Sequence, residues 1–168
     1  MKLLVVRHAV AQERDEWHET GRPDNERPLT RKGRTEMKAC AKALARLVPG
    51  LDLIATSPFT RAADTAELLA AAWSSMPLLD VKELASGGSR NELLKWLASR
   101  TESCLAVVGH EPDLGSLVGS LVVGDSRAVP IPLEKAGACL LRFPERIEQG
   151  QGELRWLVYP RLLRKLAR

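Results

Sequence analysis

Cysteine is scarce in this chain: Cys40, Cys104 and Cys139 are odd in number, far apart and set among apolar neighbours. That spacing excludes a disulfide framework or a clustered metal site and fits reduced thiols in a core. Long hydrophobic runs are also missing. The first apolar run stops at Arg7 after four residues, and Met1-Lys2 makes a poor basic leader, so neither a secretory signal nor a membrane span is expected. These absences point to a cytoplasmic protein. Aromatic residues make up only 4% of the chain; Trp17, Trp73, Trp96 and Trp156 read as packing groups, with Trp17 also placed to touch a substrate. There is no P-loop and no dinucleotide fingerprint, Gly87-Gly88 alone is not a nucleotide loop, and His110-Glu111 lacks the second histidine of a zinc-protease helix. No cofactor and no metal is expected.

The charge excess is small as well. A formal +4 over 168 residues suits an anionic partner only weakly and gives no reason to invoke nucleic acid or a membrane surface. The one basic cluster, Arg161 to Arg168, reads as a terminal helix with Leu162, Leu163 and Leu166 on one side, docked on the body with its cations in solvent. With 45% hydrophobic residues and no repeat, linker or low-complexity stretch, residues 1–168 are expected to form a single domain with a sizeable core. No long apolar stripe is left over, so a monomer is expected.

What the chain does have is two short apolar runs that end in histidine. Leu3-Leu4-Val5-Val6 delivers Arg7 and His8, and Cys104-Leu105-Ala106-Val107-Val108-Gly109 delivers His110. A third run from Leu51 to Ser57 leads into a helix whose opening turn carries Arg61. Such runs resemble buried parallel strands, and ligands bind at the carboxyl ends of strands in open α/β sheets. Both histidines would then share one rim.

Alternation along the chain supports an α/β fold with a mainly parallel sheet. After the first strand, Ala9 to Arg27 is polar and without period and is expected to be a loop over the site. Thr30 should cap a helix that faces Met37, Ala41, Leu44 and Val48 inward and stops at Pro49-Gly50. A second helix should span about Phe59 to Trp73, a strand Leu78 to Val81, and a capping box of Ser89 and Glu92 should open a third helix. Pro112 suits the first turn of the next helix, which carries Leu114, Leu117, Val118 and Leu121. Ala138 to Phe143 and Glu153 to Tyr159 read as late strands. Gly115 and Gly119 suit close packing within the fold better than a membrane dimer. His18, in the polar loop, is expected at the surface.

Two imidazoles and two guanidiniums on one rim suit a phosphoryl group. A neutral imidazole is a competent nucleophile near neutral pH, and nearby guanidiniums oppose its protonation. His8, beside Arg7, is the candidate nucleophile. Arginine forks match phosphate oxygens, so Arg7 and Arg61 read as clamps and His110 as a further donor to the transferring group.

Three blocks carry a resemblance: Val6-Arg7-His8-Ala9-Val10-Ala11, Thr56-Ser57-Pro58-Phe59-Thr60-Arg61-Ala62-Ala63-Asp64-Thr65-Ala66 and Val107-Val108-Gly109-His110-Glu111-Pro112. In this order the chain resembles the histidine phosphatase superfamily. With Arg-His-Ala at the first block and the segment Arg27-Pro28-Leu29-Thr30-Arg31-Lys32-Gly33, it is similar to the SixA-type phosphohistidine phosphatases in particular. The resemblance implies a phosphoglycerate mutase-like three-layer α/β/α sandwich. It also implies a phosphohistidine intermediate on His8, with Arg7, Arg61 and His110 completing the phosphate pocket. Ala9 stands where many members have glycine, which argues against a sugar-phosphate mutase.

Glu83 follows the strand expected at Leu78 to Val81, where larger relatives carry a catalytic glutamate. It reads either as an acid in catalysis or as a structural carboxylate. The need for an acid depends on the leaving group: imidazole accepts a proton near neutral pH, whereas an alkoxide does not leave without one. The segments Ala9 to Arg27 and Ser86 to Asn91 are too short for a lid domain, leaving a rim open to a histidine displayed on another protein. The leading expectation is a metal-independent phosphatase for a phosphohistidine-bearing protein. The alternatives are hydrolysis of a small phosphate ester and phosphate binding without turnover.

Overall fold

Strand β1 (Lys2–Arg7) is apolar on both faces, and that sets the architecture. The computed structural model describes residues 1–124 and 130–167. In it β1, β2 (Leu53–Thr56), β3 (Leu78–Asp80) and β4 (Cys104–Gly109) pair in parallel, and β5 (Ala138–Arg142) and β6 (Glu153–Val158) are added antiparallel beyond β1. The order across the sheet is β3-β2-β4-β1-β5-β6.

Alternate residues of β1 feed two separate cores. Leu4 and Val6 pack with Met37 and Leu44 of α2 (Arg31–Leu47), Leu69 of α3 (Thr60–Ala72) and Leu163 of α6 (Pro160–Leu166). Leu3 and Val5 pack with Leu93 and Leu97 of α4 (Arg90–Ala98) and with Leu117 and Leu121 of α5 (Asp113–Val123). Side chains that alternate across a strand make this a three-layer α/β/α sandwich. Each fully buried leucine contributes about 1.5–3 kcal/mol, so the two cores hold the sheet from both sides.

The N-caps read from the sequence are formed, although the Glu92 carboxylate of the expected capping box accepts from Lys95 Nζ at 2.8 Å. The Thr30 hydroxyl accepts from the Gly33 amide at 2.9 Å, and the Ser89 hydroxyl accepts from the Glu92 amide at 3.4 Å. Met37, Ala41, Leu44 and Val48 are all buried, as are Leu114, Leu117, Val118 and Leu121. The three cysteines are free and buried. Burial pushes the Cys40 and Cys104 thiols up to about 11 and Cys139 to about 12, which keeps them inert.

Three expectations are corrected. The stretch expected as a loop contains α1 (Arg14–Glu19), held by the buried Trp17, whose indole donates to the Pro23 carbonyl at 3.0 Å. A helix shorter than two turns, anchored by one side chain, leaves no period to read. In α6 only Leu163 is covered, while Leu162 and Leu166 are about half exposed. Those two stand one turn apart on the outer side, and Arg168 of the basic cluster lies outside the described residues. Pro112 caps α5 rather than entering its first turn.

Helix α2 begins hard against the segment that follows β1. The Thr30 amide donates to the Val10 carbonyl at 2.9 Å, and a Cβ on Gly33 would lie 2.1 Å from that same oxygen. A backbone atom cannot yield cheaply. Gly33→Ala is expected to lower stability by about 1–3 kcal/mol, the usual cost of overpacking, read as a shift in the denaturant midpoint.

Candidate functional site

The pairing of β1 with β4 sets Arg7 opposite Gly109, so His8 and His110 leave adjacent strands side by side. The His8 amide donates to the Gly109 carbonyl at 3.0 Å, and the two rings lie 5.1 Å apart between centroids. On the other side of β4, the Ser57 amide donates to the Val108 carbonyl at 3.0 Å, which brings the end of β2 to the same edge. Phe59 then caps α3, with its ring 5.1 Å from that of His110, and the Arg61 guanidinium carbon sits 5.1 Å from the Phe59 ring. Thr65 locks this turn to β1: its hydroxyl accepts from the Ala9 amide at 3.0 Å and donates to the Arg61 carbonyl at 2.7 Å.

The hydrogen bonds orient each group. His8 Nδ1 is 2.7 Å from the Ala9 carbonyl oxygen, which only accepts, so the proton sits on Nδ1 and the Nε2 lone pair is free. His110 Nε2 is 2.8 Å from Ser57 Oγ. Arg7 Nη1 donates to the Leu133 carbonyl at 2.9 Å. Arg61 is gripped by Asp24, with Nη1 donating to its carbonyl oxygen at 2.8 Å and Nη2 3.1 Å from Oδ2. Among the described residues, the buried side-chain nitrogens and oxygens left without a partner are Arg7 Nε, Arg61 Nε and His110 Nδ1. All three belong to this cluster.

Burial is the main cause that lowers both imidazoles, with neighbouring positive charge added to it. His8 is held at about 4 by burial and by the Arg61, Arg7 and Arg27 guanidiniums, and His110 at about 3 by burial, His8, Arg61 and Arg27. Both rings are neutral at pH 7. The like charge of nearby guanidiniums expected from the sequence contributes, but desolvation is the larger effect, because His8 is only 6% exposed. Burial also lowers the two arginines, but a guanidinium keeps its proton in proteins.

Four of the five residues singled out in the sequence, Arg7, His8, Arg61 and His110, are brought together here. Glu83 lies in a 3-10 turn (Lys82–Leu84) against the end of β4, where a Cβ on Gly109 would meet the Leu84 carbonyl oxygen at 3.4 Å. The one ion pair of Glu83 among the described residues is with Lys82, at 3.9 Å. His18 is exposed, as expected. Trp17 and His18 line a cleft of about 400 Å³ with Arg14, Asp15, Arg22 and Asp24.

Sequence reasoning missed Asp24 and a site role for Arg27. Arg27 is 8% exposed, donating from Nε to Asp24 Oδ1 at 2.9 Å and from Nη1 to the Gln12 carbonyl at 2.6 Å. Burial raises the Asp24 carboxyl, but its hydrogen bond to Arg27 and the Arg61, Arg27 and Arg14 charges outweigh that and hold it below its ordinary value. An i,i+3 acid and arginine just before Pro28 was the signal available, and it reads equally as a surface pair.

Residues 3–86 match the histidine phosphatase superfamily (branch 1), and the chain belongs to that family. An uncharacterized protein of Picosynechococcus sp. is 37% identical over 145 residues, covering 84% of this chain and 85% of that protein. The protein histidine phosphatase SixA complexed with tungstate superposes with a TM-score of 0.82 at 24% identity, over 97% of this chain and 99% of that one. The putative phosphohistidine phosphatase SixA from Nakamurella multipartitia gives 0.76 at 25% identity, over 95% of each chain. A mycobacterial glucosyl-3-phosphoglycerate phosphatase shares the fold, at 0.68 and 16% identity over 94% of this chain and 99% of that one. Membership of the superfamily supports phosphatase activity. No helix among the described residues is long and apolar enough to cross a membrane.

The two lowered imidazoles give a pH signature. By 15N NMR, His8 and His110 should keep neutral-ring shifts down to about pH 5, with His8 titrating near 4. An unfolded imidazole takes up its proton near 6.5, so acidification favours unfolding. The contribution of these rings to stability should be complete above about pH 6.5 and fall as pH drops toward 4. Titration of both rings near 6.5 would contradict the site as described.

Proposed function

We propose that this chain is a metal-independent phosphohistidine phosphatase that acts on a phosphoprotein through phospho-His8. The observation that carries the proposal is the set of three buried, unpartnered nitrogens on Arg7, Arg61 and His110 beside the free Nε2 of His8. Buried polar nitrogens without partners cost about 1–3 kcal/mol each, and a tetrahedral oxyanion would engage them together.

In the first step the His8 Nε2 lone pair attacks phosphorus in line, forming the P–N bond to His8 as the bond to the substrate imidazole breaks; that imidazole, already protonated on its other ring nitrogen, leaves as the neutral ring. Arg7 and Arg61 hold the equatorial oxygens. With the Ser57 hydroxyl donating to its Nε2, the neutral His110 ring carries its proton on Nδ1 and donates that N–H to the phosphoryl group. In the second step water attacks phospho-His8, releasing inorganic phosphate and the free ring.

Phosphohistidine fits because imidazole needs little help to leave, and the carboxylate expected to give that help, Glu83, makes its ion pair with Lys82. The cleft beside Asp24 offers room for the leaving group. A small phosphate ester is the second reading, favoured by the position of Glu83 against the strand end that carries His110.

Incubation with a phosphohistidine-bearing phosphotransfer domain should remove its label, with EDTA without effect. His8→Ala should cost about 10³-fold or more, as loss of a nucleophile does elsewhere. Acid-labile 32P should be trapped on the parent protein and not on His8→Ala; its absence would leave phosphate binding without turnover.

Comparison with a panel of small phosphate esters separates the two substrates. Glu83→Gln should change phosphohistidine turnover by less than about threefold, the little an acid adds when the leaving group carries its own proton. A preference for one ester, with a loss of a hundredfold or more in Glu83→Gln, would establish the second reading.

A further inference from the structure

Glu111 follows His110 in the third motif, and the proposed chemistry gives it no task. Its carboxylate is committed to the backbone. Oε1 accepts from the Leu133 amide at 2.9 Å, and Oε2 lies 3.3 Å from the Gly115 amide. The residue pinned by the first of these bonds is the one whose carbonyl receives Arg7 Nη1, at 2.9 Å. A parallel tie joins the same two segments, because the Ile131 amide donates to the Gly115 carbonyl at 3.0 Å. A Cβ on Gly115 would lie 2.9 Å from Glu111 Oε2 and 3.0 Å from the Ile131 carbonyl oxygen, so the absence of a side chain there permits the approach.

We infer that Glu111 is a positioning residue for Arg7: it clamps residues 131–133 to the start of α5 and thereby fixes the carbonyl that aims the Arg7 guanidinium. The inference rests on the reading of Arg7 as a phosphate ligand. With Nη1 held, the guanidinium plane is set and its unpartnered Nε stays in one place. The Glu111 charge also acts on Arg7 directly, opposing the effect of burial on its guanidinium.

Gln is the informative replacement. Its amide has one acceptor oxygen and one NH2, so it cannot receive both backbone amides. In Glu111→Gln the Kd for inorganic phosphate, by calorimetry, should rise about tenfold, the scale of one charge-assisted hydrogen bond. The loss should shrink to less than about twofold when Arg7 is already lysine, because neighbours that act through one group are not additive. The Arg7 Nε–H NMR signal, sharp in the parent, should broaden in Glu111→Gln with the rest of the spectrum retained. Should Glu111→Gln not fold, Glu111→Asp, which keeps the charge and shortens the reach, carries the same comparison. An unchanged Kd, an equal loss in the Arg7→Lys background or an unchanged Arg7 signal would overturn the inference alone. No phosphate binding by the parent would overturn the pocket reading with it.

Discussion

The site depends on one register: β1 lies against β4 so that Arg7 meets Gly109. Only in that register do His8 and His110 emerge together. A slip of one residue would also turn every β1 side chain to the opposite core. Both faces are apolar, so the choice rests on shape. Gly109 matters here, because a Cβ would stand 3.2 Å from a Leu114 methyl and 3.4 Å from the Leu84 carbonyl oxygen. A bare strand end lets α5 and the turn carrying Glu83 close on it.

That packing sustains an unfavourable arrangement of charge. Two guanidiniums, a buried Arg27 and two imidazoles share one rim, and three of their nitrogens lack partners. The two cores, with Leu3, Leu4, Val5 and Val6 all at 0% exposure, supply what offsets the cost. Donors fixed and desolvated before a ligand arrives are the condition for strong stabilisation of developing charge.

Much of this was legible because the relevant signals are local. Strand ends that deliver Arg7, His8 and His110 are contiguous in sequence, and Thr30 and Ser89 announce their helices by residue type. What escaped the sequence is set by contacts across the chain. Helix α1 stands on the Trp17 to Pro23 bond, and the outward turn of Leu162 and Leu166 follows from how α6 meets α2. Asp24 and Arg27 look like surface charges until the fold brings Arg61 to Asp24 from 37 residues away. The order of causes behind the lowered His8 ring was hidden for the same reason, since burial is a property of the packed molecule.

The two arginines follow one plan with different partners. Each has its Nη end held by the protein and its Nε left over: Arg7 by the Leu133 carbonyl, Arg61 by the backbone and carboxylate of Asp24. Holding the fork removes rotamer freedom that a ligand would otherwise have to freeze. The partners differ in charge. Asp24 neutralises much of Arg61 and shares itself with Arg27, whereas a carbonyl leaves the charge on Arg7 intact, with Glu111 and Glu134 acting only at a distance. Arg7 is also the residue joined directly to His8. Arg61 nevertheless acts on the His8 ring more strongly than Arg7 does, so the two guanidiniums together, and not the adjacent one alone, add to burial in keeping that ring neutral.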